Sequence, residues 1–146
     1  MPKQYALPLA ALAFMLGLAG PCRAERGVLG EDVAEIRAVI HRQIEAFQRD
    51  DAPVAFSLAT PAVQRTFGTP EKFLDVVRMA YRAVYRPASV AYLEMQVLDG
   101  DVVQPLKVTD RSGRVWVAYY AMQRQHDGSW RAGGCYLATP VKTFPA

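Results

Sequence analysis

The chain changes its hydrophobic period near the middle. From about residue 31 to 86, apolar positions recur every three or four residues; from 88 to 138 they form short runs between turn residues. The first half predicts helices and the second half strands. In EDVAEIRAVIHRQIEAFQRDD, residues 31–51, the side chains of Val33, Ile36, Ile40, Ile44 and Phe47 share one helical face, and Asp32 with Glu35 approximates a capping box. Asp51 caps a short second helix over 52–59. Thr60-Pro61 and Thr69-Pro70 each pair an N-cap side chain with proline at the first helical position, where a missing N–H costs nothing. Gly68 ends the helix between them. The last helix runs from Pro70 to about Tyr85, presents Phe73, Val76, Val77, Ala80, Tyr81 and Val84, and stops before Pro87.

Turn chemistry divides the second half into four strands, about 88–98, 101–109, 114–125 and 130–138. Asp99-Gly100 and Asp127-Gly128 are two-residue hairpin signals, and Asp110-Arg111-Ser112-Gly113 is a four-residue one. Three hairpins make an antiparallel meander. Pro105 removes a ladder donor and predicts a bulge or an unpaired edge. With no linker or repeat between the halves, the fold class is a single α+β domain.

A two-residue Asp127-Gly128 loop fixes the last pairing. It sets His126 opposite Ser129, Met122 opposite Gly133 and Tyr120 opposite Cys135 on one face, and Gln125 opposite Trp130 on the other. Cys135 then lies among apolar neighbours and His126 at the turn, too far apart for a Cys–His pair. A bulge at Gly133-Gly134 would change the face of everything beyond it. Strand 114–125 is apolar on both sides, with Val115, Val117, Tyr119 and Ala121 opposing Trp116, Ala118, Tyr120 and Met122. Both faces therefore need cover, the helices on one and a second subunit or the chain ends on the other.

The N-terminus sets the expected location. Ala6 to Gly20 is an uncharged apolar run of 15 residues, and Cys22-Arg23-Ala24 offers small residues for a cut after Ala24. Residues 1–24 read as a signal peptide and 25–146 as the mature domain, periplasmic or secreted. Loss of Lys3 and Arg23 leaves 15 of the 17 basic residues against 14 acidic ones, a net of +1. That balance argues against nucleic-acid binding. Cys135 becomes the only cysteine, which excludes an internal disulfide. No His, Cys, Asp or Glu set has zinc spacing and no glycine-rich loop has phosphate-binding form, so neither a metal nor a cofactor is expected. Two groups remain. Trp116, Tyr120, Met122 and Cys135 form an aromatic and thiol-bearing face suited to a small apolar ligand. Arg78, Arg82 and Arg86 repeat at i, i+4 and i+8 as a stripe for anionic lipid or an acidic partner, or as a solvated face.

The segments IRAVIHRQIEAFQRDDAPVAFSLATPAVQRTFG, YRAVYRP and VVQPLKVTDRSGRVWVAYYAMQRQHDGSWRAGGCYL, taken in order, resemble a bacterial family known as domain of unknown function 4864. More widely, helices followed by an antiparallel meander resemble the nuclear-transport-factor-2-like, SnoaL-like cone. The resemblance covers roughly residues 33–138. It implies helices packed in the curve of a four-stranded sheet and an exported bacterial setting, and names no reaction. The expectation is a non-catalytic domain that holds a small apolar ligand or forms a homodimer. The second reading is an isomerase, dehydratase or cyclase, which would need Glu94, Asp75 or His41 to point into the cone. The third is an interaction module built on the arginine stripe.

Overall fold

The computed structural model describes residues 28, 30–98 and 101–140. The expected signal segment, the Asp99-Gly100 turn and the end of the chain beyond residue 140 lie outside the described residues. Five helices precede five strands: α1 Gly30–Gln48, α2 Ala52–Ser57, α3 Pro61–Phe67, α4 Pro70–Ala80, α5 Arg82–Tyr85, then β1 Pro87–Tyr92, β2 Gln96–Leu98, β3 Asp101–Asp110, β4 Val115–Arg124 and β5 Trp130–Ala138. The fold is mixed helix and antiparallel sheet, an α+β arrangement.

The helix starts follow their caps. Asp51, Thr60 and Thr69 each accept a hydrogen bond from a backbone N–H two or three residues into the next helix. Gly68 closes α3 at φ +82°, a conformation that costs a side chain about 1 kcal/mol or more. Asp32 is a correction. It lies within the first turn of α1, nearly buried, and its carboxylate meets Arg124 at 2.6 Å and accepts from the Trp130 indole at 3.3 Å. The expected helix over 70–85 is also interrupted. Tyr81 takes φ −125° and ψ 45°, and α5 restarts at Arg82. No proline or glycine causes this; burial of Ala83 and Val84 against the core goes with the new direction.

The sheet is the expected meander, ordered β1-β3-β4-β5, with its first strand broken in two. β1 and β2 both pair with β3, and the break at Leu93–Met95 falls opposite Gln104 and Pro105. The Leu93 N–H donates to the Pro105 carbonyl, so Pro105 turns its backbone polar groups, and its missing N–H, toward that edge. The ladder fails where the donor is absent.

The β4–β5 hairpin departs from its expected register in two places that cancel. Its loop has three residues, His126-Asp127-Gly128, because Gln125 and Ser129 form the closing pair and Gly128 adopts φ +87°. One strand position is lost there. A bulge between Ala121 and Met122 on one side and Ala132 and Gly134 on the other restores it. Tyr120 therefore faces Cys135 as expected, whereas Met122 pairs with Ala132 and Arg124 with Trp130. Trp130 was expected on the opposite face from Tyr120. The bulge turns it inward, where it is buried beneath the Arg124 guanidinium, 4.8 Å from the ring centre.

The core lies between the helices and one sheet face. Ile36, Ile40 and Phe47 of α1 and Val77 of α4 pack toward Leu106, Val108, Ala118 and Tyr120. At about 1.5–3 kcal/mol for each large side chain removed from water, this layer is the main source of stability. The other sheet face stays partly open. Val103, Val117 and Tyr119 are half-buried, and Tyr136 is 68% exposed.

Candidate functional site

A cavity of about 360 Å³ lies between α1, α3, α4 and the β4–β5 hairpin. Its floor is buried: Gln43 and Phe47 from α1, Phe73 and Val77 from α4, and Tyr120 and Ala132 from the sheet. Its mouth runs past the more exposed Ala62, Thr66, Val76 and Gly134. Local structure places each wall. The two Thr-Pro starts set α3 and α4, both of which contribute to the lining. The backbone between α2 and α3 is held against β5 by hydrogen bonds from Thr60 N–H to Ala132 O and from Ala132 N–H to Leu58 O, both 2.9 Å. Phe73 anchors the helical wall, its ring centre 5.3 Å from that of Phe67, 5.7 Å from Phe56 and 6.0 Å from Phe47. The Tyr81 break brings Tyr81 and Val84 into the lining.

The glycine pair forms the opposite rim. A Cβ on Gly133 would come within 3.2 Å of the Gln123 side chain, whereas one on Gly134 would meet nothing within 4 Å. Gly133 thus gives room to the bulge, and Gly134 leaves the rim open.

Among the described residues the lining carries no Asp, Glu, Lys, Arg or His. Its buried polar groups are few. The Gln43 amide donates to Ala55 O at 3.0 Å, which turns its carbonyl oxygen the other way. Tyr120 is 2% exposed, and its hydroxyl has no hydrogen-bond partner among the described residues. That oxygen is not sealed, since no fully buried side-chain polar atom of the described residues lacks a partner. Tyr120 belongs to the cavity floor. Burial, with Cys135 and Tyr92 nearby, holds the hydroxyl well above its usual pKa. Burial also pushes the Cys135 thiol up to about 12. Both stay protonated at neutral pH. The thiol has none of the electropositive surroundings that make a nucleophile.

Of the four residues expected to form a lining, Tyr120 and Cys135 are in it. Met122 is buried elsewhere in the core, and Trp116 lies further along the sheet, its indole donating to Asp110 at 3.0 Å. Phe67, Phe73, Gln43 and the α3 face were not anticipated. Helical periodicity marked Phe73 as core, and periodicity does not distinguish core from cavity wall; Gln43, Phe67 and the α3 face carried no such mark.

The arginine stripe is not present as a stripe, because the break at Tyr81 destroys the i, i+4, i+8 alignment. Arg78 and Arg86 instead converge on Asp50, at 3.6 and 3.0 Å, with the Tyr85 hydroxyl donating to the same carboxylate. These contacts hold the Asp50 carboxyl below its usual range, the Tyr85 hydrogen bond contributing most. Asp50 sits at φ +53°, so the cluster pins the turn between α1 and α2. Arg82 is exposed.

The groups an acid–base enzyme would require lie elsewhere. His41 is exposed and 3.3 Å from Glu45; the Asp75 side chain is 64% exposed and paired with Arg78; Glu94 is exposed in the break between β1 and β2. His126 is exposed at the hairpin loop. None of them lines the cavity. No cluster of metal-ligating side chains occurs among the described residues.

No curated protein matches this chain. A 2.5 Å structure of a protein from Catenulispora acidiphila is similar at 15% identity over 73% of this chain and 89% of its own, with a TM-score of 0.43, a likeness too low to inform fold or function. A family model does match, across residues 30–143 and so over every element described above. The chain belongs to the family described as a domain of unknown function, DUF4864.

Proposed function

We propose that this protein is a non-catalytic, exported domain that binds a small, largely apolar molecule in the cavity between its helices and the β4–β5 hairpin. The observation that carries the reading is a cavity of about 360 Å³ with mainly apolar walls, whose floor includes Tyr120, a side chain whose hydroxyl has no hydrogen-bond partner among the described residues. Ligand sites characteristically combine apolar walls with a few fixed polar groups. A folded core ordinarily fills such space, at a cost of about 1 kcal/mol for each missing methyl-sized group. Helices packed on one face of a meander also fit the nuclear-transport-factor-2-like cone. In that arrangement the ligand lies in the cone. Cleavage after Ala24 and a periplasmic or secreted location complete the reading.

Native mass spectrometry of protein purified from its producing cell tests it. The expected spectrum contains a noncovalent small-molecule adduct and a mature chain starting at Glu25. The adduct should be lost when Ala62 at the mouth becomes Trp. A ligand-free chain in both proteins would remove the binding reading, and a retained N-terminus would remove the export reading.

A homodimer is the second reading, favoured by one feature. The outer sheet face carries Val117, Tyr119, Ala121 and the 68% exposed Tyr136, an apolar group with no cover among the described residues. A concentration-independent monomer by analytical ultracentrifugation would end it.

A further inference from the structure

The chemistry of the cavity restricts what can occupy it. Its described lining has no formal charge of either sign, so a buried carboxylate, phosphate or ammonium would find no counter-ion there. Burial of an unpaired charge is far costlier than burial of a neutral polar group. The polar side chains of the lining are neutral: Gln43, Thr66, Tyr81, Tyr120 and the thiol of Cys135. Tyr120 offers a hydroxyl that can donate, and Gln43 an amide oxygen that can accept. Both belong to side chains only 2% exposed, fixed in packed elements, so their positions are set before a ligand arrives.

We infer that the cavity selects an uncharged, mainly apolar molecule whose carbonyl or similar oxygen accepts a hydrogen bond from the Tyr120 hydroxyl. This deepens the binding reading above and rests on it. The rejected class matters as much as the accepted one. Fatty acids and other anionic amphiphiles of similar carbon skeleton should be excluded, although their apolar parts fit. A hydrocarbon should bind, but more weakly than the matching ketone, because it leaves the Tyr120 donor unpaired.

Equilibrium dialysis of the mature protein with three matched probes tests this: 2-acetylnaphthalene, 2-ethylnaphthalene and 2-naphthoate. The ketone should bind about fivefold more tightly than the ethyl compound, the value of one net neutral hydrogen bond. Tyr120→Phe should erase that difference, weakening the ketone and leaving ethylnaphthalene affinity unchanged or higher, since no donor is then left unpaired. Naphthoate should bind at least about a hundredfold more weakly than the ketone. If the ketone has no advantage, if its advantage survives Tyr120→Phe, or if naphthoate binds equally well, the selectivity inference is overturned and the binding reading stands. If no probe binds, or Ala62→Trp leaves binding intact, the cavity is not the site and both readings fail together.

Discussion

Gln104 and Tyr120 face each other across β3 and β4, and both are fully buried. The Gln104 carbonyl oxygen accepts from Arg37 at 3.1 Å, and its amide donates to Leu93 O and Pro105 O, each at 2.7 Å. It ties α1 to the broken edge of the sheet and supplies partners that the missing Pro105 N–H cannot. Arg37 reaches Leu93 O as well and lies over the Tyr92 ring, whose hydroxyl donates back to Arg37 O. Tyr120, one strand away, spends its hydroxyl on nothing in the described protein. A buried polar group that is bonded supports the fold; one left unbonded in a cavity is available to something else. The same layer of the molecule thus holds a closed polar knot on one side and an open site on the other.

The largest expected contrast concerns reactivity on the open side. With its thiol pushed up to about 12, Cys135 should react with iodoacetamide at pH 8 on the order of a thousandfold more slowly than an ordinary protein thiol. Mass-spectrometric alkylation rates check this; a rate near that of free cysteine would mean that the thiol is solvated. The folded-state pKa is raised from 9.0, so the thiol's contribution is intact below pH 9 and is lost as pH rises toward 12.

On the closed side, Gln104→Leu should cost about 2 kcal/mol in urea unfolding, because it removes three hydrogen bonds, although Leu93 O keeps Arg37 and Pro105 O keeps the Leu93 N–H. A loss under about 1 kcal/mol would mean that the knot contributes little.

A smaller effect sharpens the contrast at the far end of the inner face. Asp110 accepts hydrogen bonds from Ser112, Arg114 and Trp116, and these hold its carboxyl down to about 2 against a usual 3.8. Its contribution is complete above pH 3.8 and is lost as pH falls through about 2. Stability measured across that window should fall less steeply in Asp110→Asn than in the parent. Equal slopes would show that the carboxylate is not specifically bonded.

Much of the fold was legible because its signals are local. Threonine-proline starts, Gly68, the turn residues and the change of hydrophobic period locate nearly every element. Pro105 announced the break in the first strand through the donor it lacks. The site was less legible. Tyr120 opposite Cys135 emerged only because a longer loop and a glycine bulge shift the register by equal and opposite amounts. Trp130 did not benefit from that cancellation, since it lies between the two irregularities. The arginine stripe failed because the kink at Tyr81 is a tertiary effect with no proline or glycine to mark it. Gln104 and Tyr120 look alike in sequence, a polar-tipped residue in an apolar strand. Only the surroundings assembled by the fold separate the bonded one from the unbonded one.

The most direct test of that separation is urea unfolding of Tyr120→Phe without ligand, set against the parent. Deleting a hydroxyl that has no partner among the described residues should change stability by less than about 0.5 kcal/mol, in either direction. A loss of about 1–3 kcal/mol, comparable to that of Gln104→Leu, would show that the hydroxyl is already bonded within the protein and that the cavity offers a ligand no free donor there.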